Sequence, residues 1–167
     1  MKSFLSHTKY LVTIVVCIVV ACSEHLMYPI DELLAAPEQI EIDGREYILQ
    51  TYLWRDFMPG TGTSSVGSPL YAVIYVFAID SLPFPSSLDA DFLWVINEEE
   101  AWETELIDAN TEPQYEYKLK KQTKEGGPKW GSYRPPFTLV DVVVRIVHDD
   151  ESTYLLRAAD QVIHPVY

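Results

Sequence analysis

The chain is poor in cysteine, histidine and positive charge. Its 167 residues include two cysteines and four histidines. Cys17 and Cys22 are too few for the disulfide framework of a small secreted scaffold. Lysine and arginine together number 12 against 25 aspartates and glutamates, a formal net charge of −13. A surface of that sign repels phosphate backbones and anionic lipid headgroups, which excludes nucleic acid as a partner. Near the N-terminus the apolar run Leu11 to Ala21 is interrupted only by Thr13, and Glu24 prevents its extension. It is shorter than the roughly 20 residues a spanning helix needs, which excludes a permanent transmembrane helix there. There is no internal repeat and no low-complexity tract.

What the N-terminus does contain reads as an export signal. Lys2, His7 and Lys9 form a weakly basic start, and the apolar run that follows has the length of a signal-peptide hydrophobic region. At its end, Val19-Val20-Ala21-Cys22 resembles the lipobox of bacterial lipoproteins, with Val19 where the pattern more often has Leu. The resemblance implies a diacylglycerol on the Cys22 thiol, cleavage before that residue and acylation of the new amino terminus. Several acyl chains, at roughly 0.8 kcal/mol per buried CH₂, would hold the protein on a membrane. The alternatives are plain secretion, since Val-x-Ala also suits a general signal peptidase, and an uncleaved anchor. Plain secretion leaves Cys22 as a lone thiol in an oxidising compartment, which exported proteins tend to avoid. Loss of residues 1–21 deletes Lys2 and Lys9 and no acid, leaving 10 basic residues against 25 acidic ones, a net of −15. The expected organisation is a signal peptide over 1–21, a lipidated tether over 22–38 and one domain over 39–167. The expected location is the bacterial cell envelope, on the outer membrane or the periplasmic face; Ser23 does not settle which membrane.

Beyond the tether, which is expected to end in a short helix or irregular segment around Asp31 to Ala36, the dominant signal has period two, the spacing of a half-buried strand. Ile40 and Ile42 alternate with Glu41 and Asp43, and Asp43-Gly44 is a hairpin signal because both positions tolerate positive φ. Tyr47 to Phe57 is rich in β-branched and aromatic residues. Pro59 to Pro69 reads as a polar loop. Leu70 to Ile79 is almost wholly apolar, as for a strand covered on both faces. Phe92 to Ile96 and Trp102 to Ile107 flank Asn97 to Glu100 as a hairpin, after a turn at Ser87 to Asp91. Trp94 and Trp102 are expected as cross-strand or diagonal neighbours. Tyr115, Tyr117 and Leu119 alternate with Glu116, Lys118 and Lys120, a strand with one wet face. Thr138 to Val147 and Thr153 to Ala159 bracket His148 to Glu151 as another hairpin, with Gln161 to Ile163 a short final strand. The fold class is therefore all-β. An immunoglobulin-like antiparallel sandwich of seven to nine strands is the first expectation and a small β-barrel the second, because both share the same alternation.

Chemical signatures are few. A serine-hydrolase elbow needs Gly-x-Ser-x-Gly; Gly62-Thr63-Ser64-Ser65-Val66-Gly67 is one residue too long and has no helix behind it. The same stretch fails the dinucleotide fingerprint at Ser65. His25, His148 and His164 have no helical i, i+4 spacing for a metal site. His148 beside Asp149 and Asp150 is the best cluster, and Asp89-Ala90-Asp91 a weaker calcium candidate, but a solvated hairpin tip and an ordinary turn explain them. Carboxylate pairs have no specificity among 25 acids. No cofactor, metal or catalytic set is expected, and Arg55 and Asp56 read as a pair at a strand end.

Aromatic residues give the chain its character, with four Trp and eleven Tyr. Most read as core. The loop Glu125 to Pro136 differs, carrying Lys129, Trp130, Tyr133 and Arg134 in an acidic protein. Loops with aromatic and Arg groups are common contact surfaces; the alternative is that Trp130 folds back to plug one end of the domain. The run from Tyr52 to Ala159 is loosely similar to uncharacterised bacterial envelope lipoproteins, a resemblance that supplies no site residues. The functional expectation is a lipid-anchored, non-enzymatic envelope protein that binds a partner protein or supports an assembly. Carbohydrate binding through Trp130 and Tyr133 is the second reading and an enzyme the third.

Overall fold

The computed structural model describes residues 27–58, 67–109 and 117–167. The expected signal peptide, Cys22 and His25 lie outside them, as do Gly62 to Val66 and the Tyr115–Glu116 start of one expected strand. The described elements are one short helix, α1 (Ile30–Leu34), and eight strands: β1 (Gln39–Ile42), β2 (Arg45–Asp56), β3 (Tyr71–Ala78), β4 (Leu88–Asn97), β5 (Glu100–Asp108), β6 (Lys118–Thr123), β7 (Leu139–His148) and β8 (Thr153–Val166).

Local turn chemistry makes the hairpins. Asp43 and Gly44, at φ 52° and 72°, form the β1–β2 turn, the double positive φ of a type I′ turn. Glu98, at φ 57°, begins the Glu98-Glu99 turn between β4 and β5. Glu151, at φ 70°, lies in the β7–β8 turn. Two expected breaks are instead bulges within continuous strands. β4 already starts at Leu88 and shifts register between Ala90 and Phe92. β8 runs through to Val166, with Asp160 at φ 54° opposite the register shift between Val140 and Val142 on β7. A bulge bends and twists its strand, and this bend carries the end of β8 across to β2.

That crossing closes the sheet. The strand order is β1-β2-β3-β6-β5-β4-β7-β8, with an additional β2–β8 pairing. Leu53 to Asp56 pair in parallel with Ile163 to Val166, while the other ladders are antiparallel. Seven strands form a ring and β1 extends it as a flap on the first half of β2. The all-β reading holds, and the small barrel is the architecture that fits the ring. The immunoglobulin-like sandwich finds no support in this pairing, because hydrogen bonds run around the whole circuit. The joint between β5 and β6 is the shortest, three residue pairs from Leu106 to Asp108.

Alternation decides what fills the interior. From β2 come Tyr47, Leu49 and Leu53; from β3 Ala72, Ile74, Val76 and Ala78; from β4 Leu93 and Val95; from β7 Val142, Val144 and Ile146. Each large aliphatic removed from water contributes roughly 1.5–3 kcal/mol. A second cluster lies outside the ring, where Leu33 and Ala36 of the α1 segment cover Trp94, Ile96 and Val143. Tyr28 meets the Trp94 ring edge-on at 5.3 Å. Register separates the two tryptophans expected as neighbours. Trp94 pairs with Glu103 and Trp102 with Val95, so Trp94 faces α1 while Trp102 packs against the barrel core. β6 also departs from the one-wet-face expectation, since both Lys120 and Lys121 are buried.

Candidate functional site

The loop that stood out in the sequence is pinned from below. Arg55 points into the barrel, 2% exposed, and donates through Nε to Ser68 O (2.8 Å) and through Nη1 to the carbonyls of Lys129 (2.8 Å), Trp130 (3.2 Å) and Gly131 (3.0 Å). Burial pulls the guanidinium below its usual pKa. The expected Arg55–Asp56 pairing is replaced by these bonds, because neighbouring residues on a strand face opposite sides. Trp130 is half-buried against the core and donates from Nε1 to Glu100 Oε2 at 3.1 Å. Gly126 and Gly127 pass where side chains would not fit: a Cβ on Gly127 would fall within the Trp102 indole, and one on Gly126 would lie 2.6 Å from Pro69.

The four candidate side chains do not form one patch. Lys129 is exposed and its backbone carbonyl is held by Arg55. Trp130 turns toward the β4–β5 turn, where Asn97, Glu98, Glu99 and Glu100 line a hollow beside it. Tyr133 and Arg134 sit together at the surface, the guanidinium 5.0 Å from the ring centroid, with the Phe57 ring centroid 6.0 Å away. Tyr167 donates its hydroxyl to the Tyr133 carbonyl.

A larger aromatic surface lies on the outside of β2, β3 and β8. The rings of His164, Tyr52, Trp54 and Tyr71 form a continuous run. Successive centroids lie 5.1, 5.6 and 5.9 Å apart, with interplanar angles of 19°, 22° and 30°. Register puts them side by side: Trp54 pairs with Tyr71 across β2–β3 and with His164 across β2–β8. The run leads into a groove of about 460 Å³, bordered by Trp54, Asp56, Tyr71, Ile107, Gln122 and Lys124 among others. Lys124 is held by Glu105 at 2.5 Å, and that hydrogen bond raises its pKa. Among the described residues no helix or second sheet covers this face, and Tyr52 remains 44% exposed. Among the described residues the barrel is therefore asymmetric outside, sealed by α1 over β4 and β7 and open over β2 and β3.

Leu70 to Ile79 was expected to be covered on both faces. Its inward residues Ala72, Ile74, Val76 and Ala78 are buried, whereas Tyr71, Val73, Tyr75 and Phe77 are only half-buried. The signal was present as segregation by size, small aliphatics on one parity and, Val73 aside, rings on the other.

The remaining candidates have structural partners. Asp89 bonds Lys121 and Asp91 bonds Arg145, so the two carboxylates engage different cations. His148 bridges Asp43 (3.1 Å) and Asp150 (3.0 Å). No cluster of His, Cys, Asp and Glu with the makings of a metal site occurs among the described residues. No family model, curated protein or solved structure matches the chain.

Proposed function

We propose that this chain is a lipid-anchored, non-enzymatic binding protein of the bacterial cell envelope, and that its contact surface is the outer aromatic face of β2, β3 and β8. The anchor rests on the lipobox ending at Cys22 and the weakly basic, apolar segment before it. The contact surface rests on one observation: among the described residues, the run of rings from His164 through Tyr52 and Trp54 to Tyr71 is left open beside a groove, while another outer face is sealed by Leu33 and Ala36. Monomeric proteins seldom leave contiguous apolar surface exposed unless something binds it, and Tyr and Trp are the side chains that carry most contact energy.

Two measurements test the two parts. Intact-mass analysis and membrane fractionation of the native chain beside Cys22→Ser should show acyl mass on a chain beginning at Cys22, and loss of lipid and membrane attachment in the variant. A chain that is soluble and unlipidated in both versions overturns the anchor. Photo-crosslinking in cells from a benzophenone amino acid at position 52 should give discrete adducts that a probe at Glu41 does not. Adduct-free protein at position 52 overturns the assignment of the face.

A further inference from the structure

We infer that the groove beside Trp54 and Tyr71 binds a neutral oligosaccharide, an inference that rests on this face being the contact surface. A sugar ring is apolar across its C–H faces and ringed at its edge by hydroxyls. A site for it therefore needs aromatic faces and hydrogen-bonding side chains within the same small space. Both are present here: Trp54 and Tyr71 supply the aromatic wall, and Asp56, Gln122 and Lys124 supply a carboxylate, an amide and an ammonium around the same 460 Å³. That volume lies within the ~300–1,000 Å³ typical of small-ligand clefts.

Competing ligand classes fit less well. A purely apolar segment or lipid chain would desolvate the Asp56, Gln122 and Lys124 side chains without giving hydrogen bonds in return, which is costly. A polyanion would meet a protein of net charge −13, and Lys124, the cation lining the groove, already pairs with Glu105. A polyol needs neither charge. The run continues past the groove to Tyr52 and His164, so the surface suits a chain of several sugar units better than a monosaccharide.

The test is titration of the full-length protein in lipid nanodiscs, which carry no sugar headgroups, with cello-, malto-, manno- and chitotetraose. Tryptophan fluorescence and calorimetry are the readouts. At least one of the four should bind saturably with a Kd below ~1 mM. Trp54→Ala and Gln122→Ala should each weaken that binding by about tenfold, with unchanged circular dichroism and thermal midpoint. Trp130→Phe, outside the groove, should leave it unchanged. The inference is overturned if none of the four binds by ~10 mM, or if binding survives both groove variants. Crosslinking from position 52 separates the two levels of the argument. Protein adducts there with no oligosaccharide binding would leave the contact face standing and remove only the glycan; absence of both would remove both.

Discussion

Arg55 Nη1 lies 3.2 Å from the carbonyl oxygen of Trp130, and the same nitrogen reaches the carbonyls of Lys129 and Gly131 on either side. Strand β2 and the loop before β7 are thus joined by one buried side chain. Nη1 shares its two N–H groups among these carbonyls while Nε donates to Ser68 O at 2.8 Å, and donors on two nitrogens held in one plane are what guanidinium has and a single ammonium lacks.

Arg55→Lys should therefore behave nearly as badly as Arg55→Ala. Either change leaves part-buried carbonyls without donors, at up to about 1–3 kcal/mol each, and relaxation of the loop limits the sum. A loss of about 2–4 kcal/mol in urea unfolding is expected, with a smaller Trp130 contribution to near-ultraviolet circular dichroism. A lysine variant as stable as the native chain would show that the carbonyls are satisfied without the planar donor.

Lys121 poses the opposite case. Its ammonium lies 2.7 Å from Asp89 and 2.8 Å from Asp108, where β6 parts from β5. Desolvation pulls its pKa down, but hydrogen bonds to Asp108 and Asp89 outweigh that and leave it raised. The partners are well exposed, at 58% and 69%, so both recover water if the ammonium is removed. Lys121→Met keeps the packed stem and should change stability by less than ~1 kcal/mol. Lys121→Ala loses the stem and should cost about 2 kcal/mol. Equal losses in the two variants would mean that the charge, and not the stem, holds this joint.

His148 ties the β7–β8 turn to the β1–β2 turn. Its Nε2 meets Asp43 at 3.1 Å, and its Nδ1 lies 3.1 Å from the Asp150 amide and 3.0 Å from the Asp150 carboxylate. A neutral ring donates to Asp43 and accepts from the amide; a protonated ring donates to both carboxylates. Partial desolvation lowers the ring's pKa, but the Asp150 charge and hydrogen bonds with Asp43 and Asp150 raise it further, so the folded value lies above the ordinary 6.5. A raised folded pKa stabilises fully below the unfolded value, and the benefit fades as pH rises through the folded value. The thermal midpoint of the native chain should exceed that of His148→Gln most at about pH 6 and least at about pH 9. A gap that is constant with pH would assign the contact to packing or neutral hydrogen bonding.

These contacts show what the sequence carried and what it did not. Asp43-Gly44, the Glu98-Glu99 turn and the His148 to Glu151 tip were legible because a hairpin turn is a local event with its own residue preferences. Ring closure was not, because alternation says which face a residue takes but not which strand lies beside it; the pairing of Leu53 with Ile163 depends on a bend at Asp160. A shift of one residue separates Trp94 from Trp102, and composition does not encode register. Arg55 read as a partner for its neighbour Asp56, since its carbonyl acceptors come from a loop far along the chain. The Tyr52–Trp54–Tyr71 surface was readable as residues, but whether a second layer covered it was not.

The α1 segment offers the sharpest test of where the folded unit begins. Leu33 is fully buried over Trp94, although it falls within the stretch expected as a tether. Were 27–36 only a tether, Leu33→Ala would change nothing measurable. Packed as it is, the truncation should cost about 2–4 kcal/mol, limited by the free energy of detaching the whole short segment from the barrel. Trp94 gives a second readout. Its Nε1 bond to Glu103 at 2.6 Å belongs to the β4–β5 hairpin and should survive, while the ring loses its cover and meets water. Emission from Trp94 should therefore shift to the red in Leu33→Ala under conditions where circular dichroism still reports an intact barrel. A variant with native stability and unshifted emission would place the start of the folded unit after Ala36.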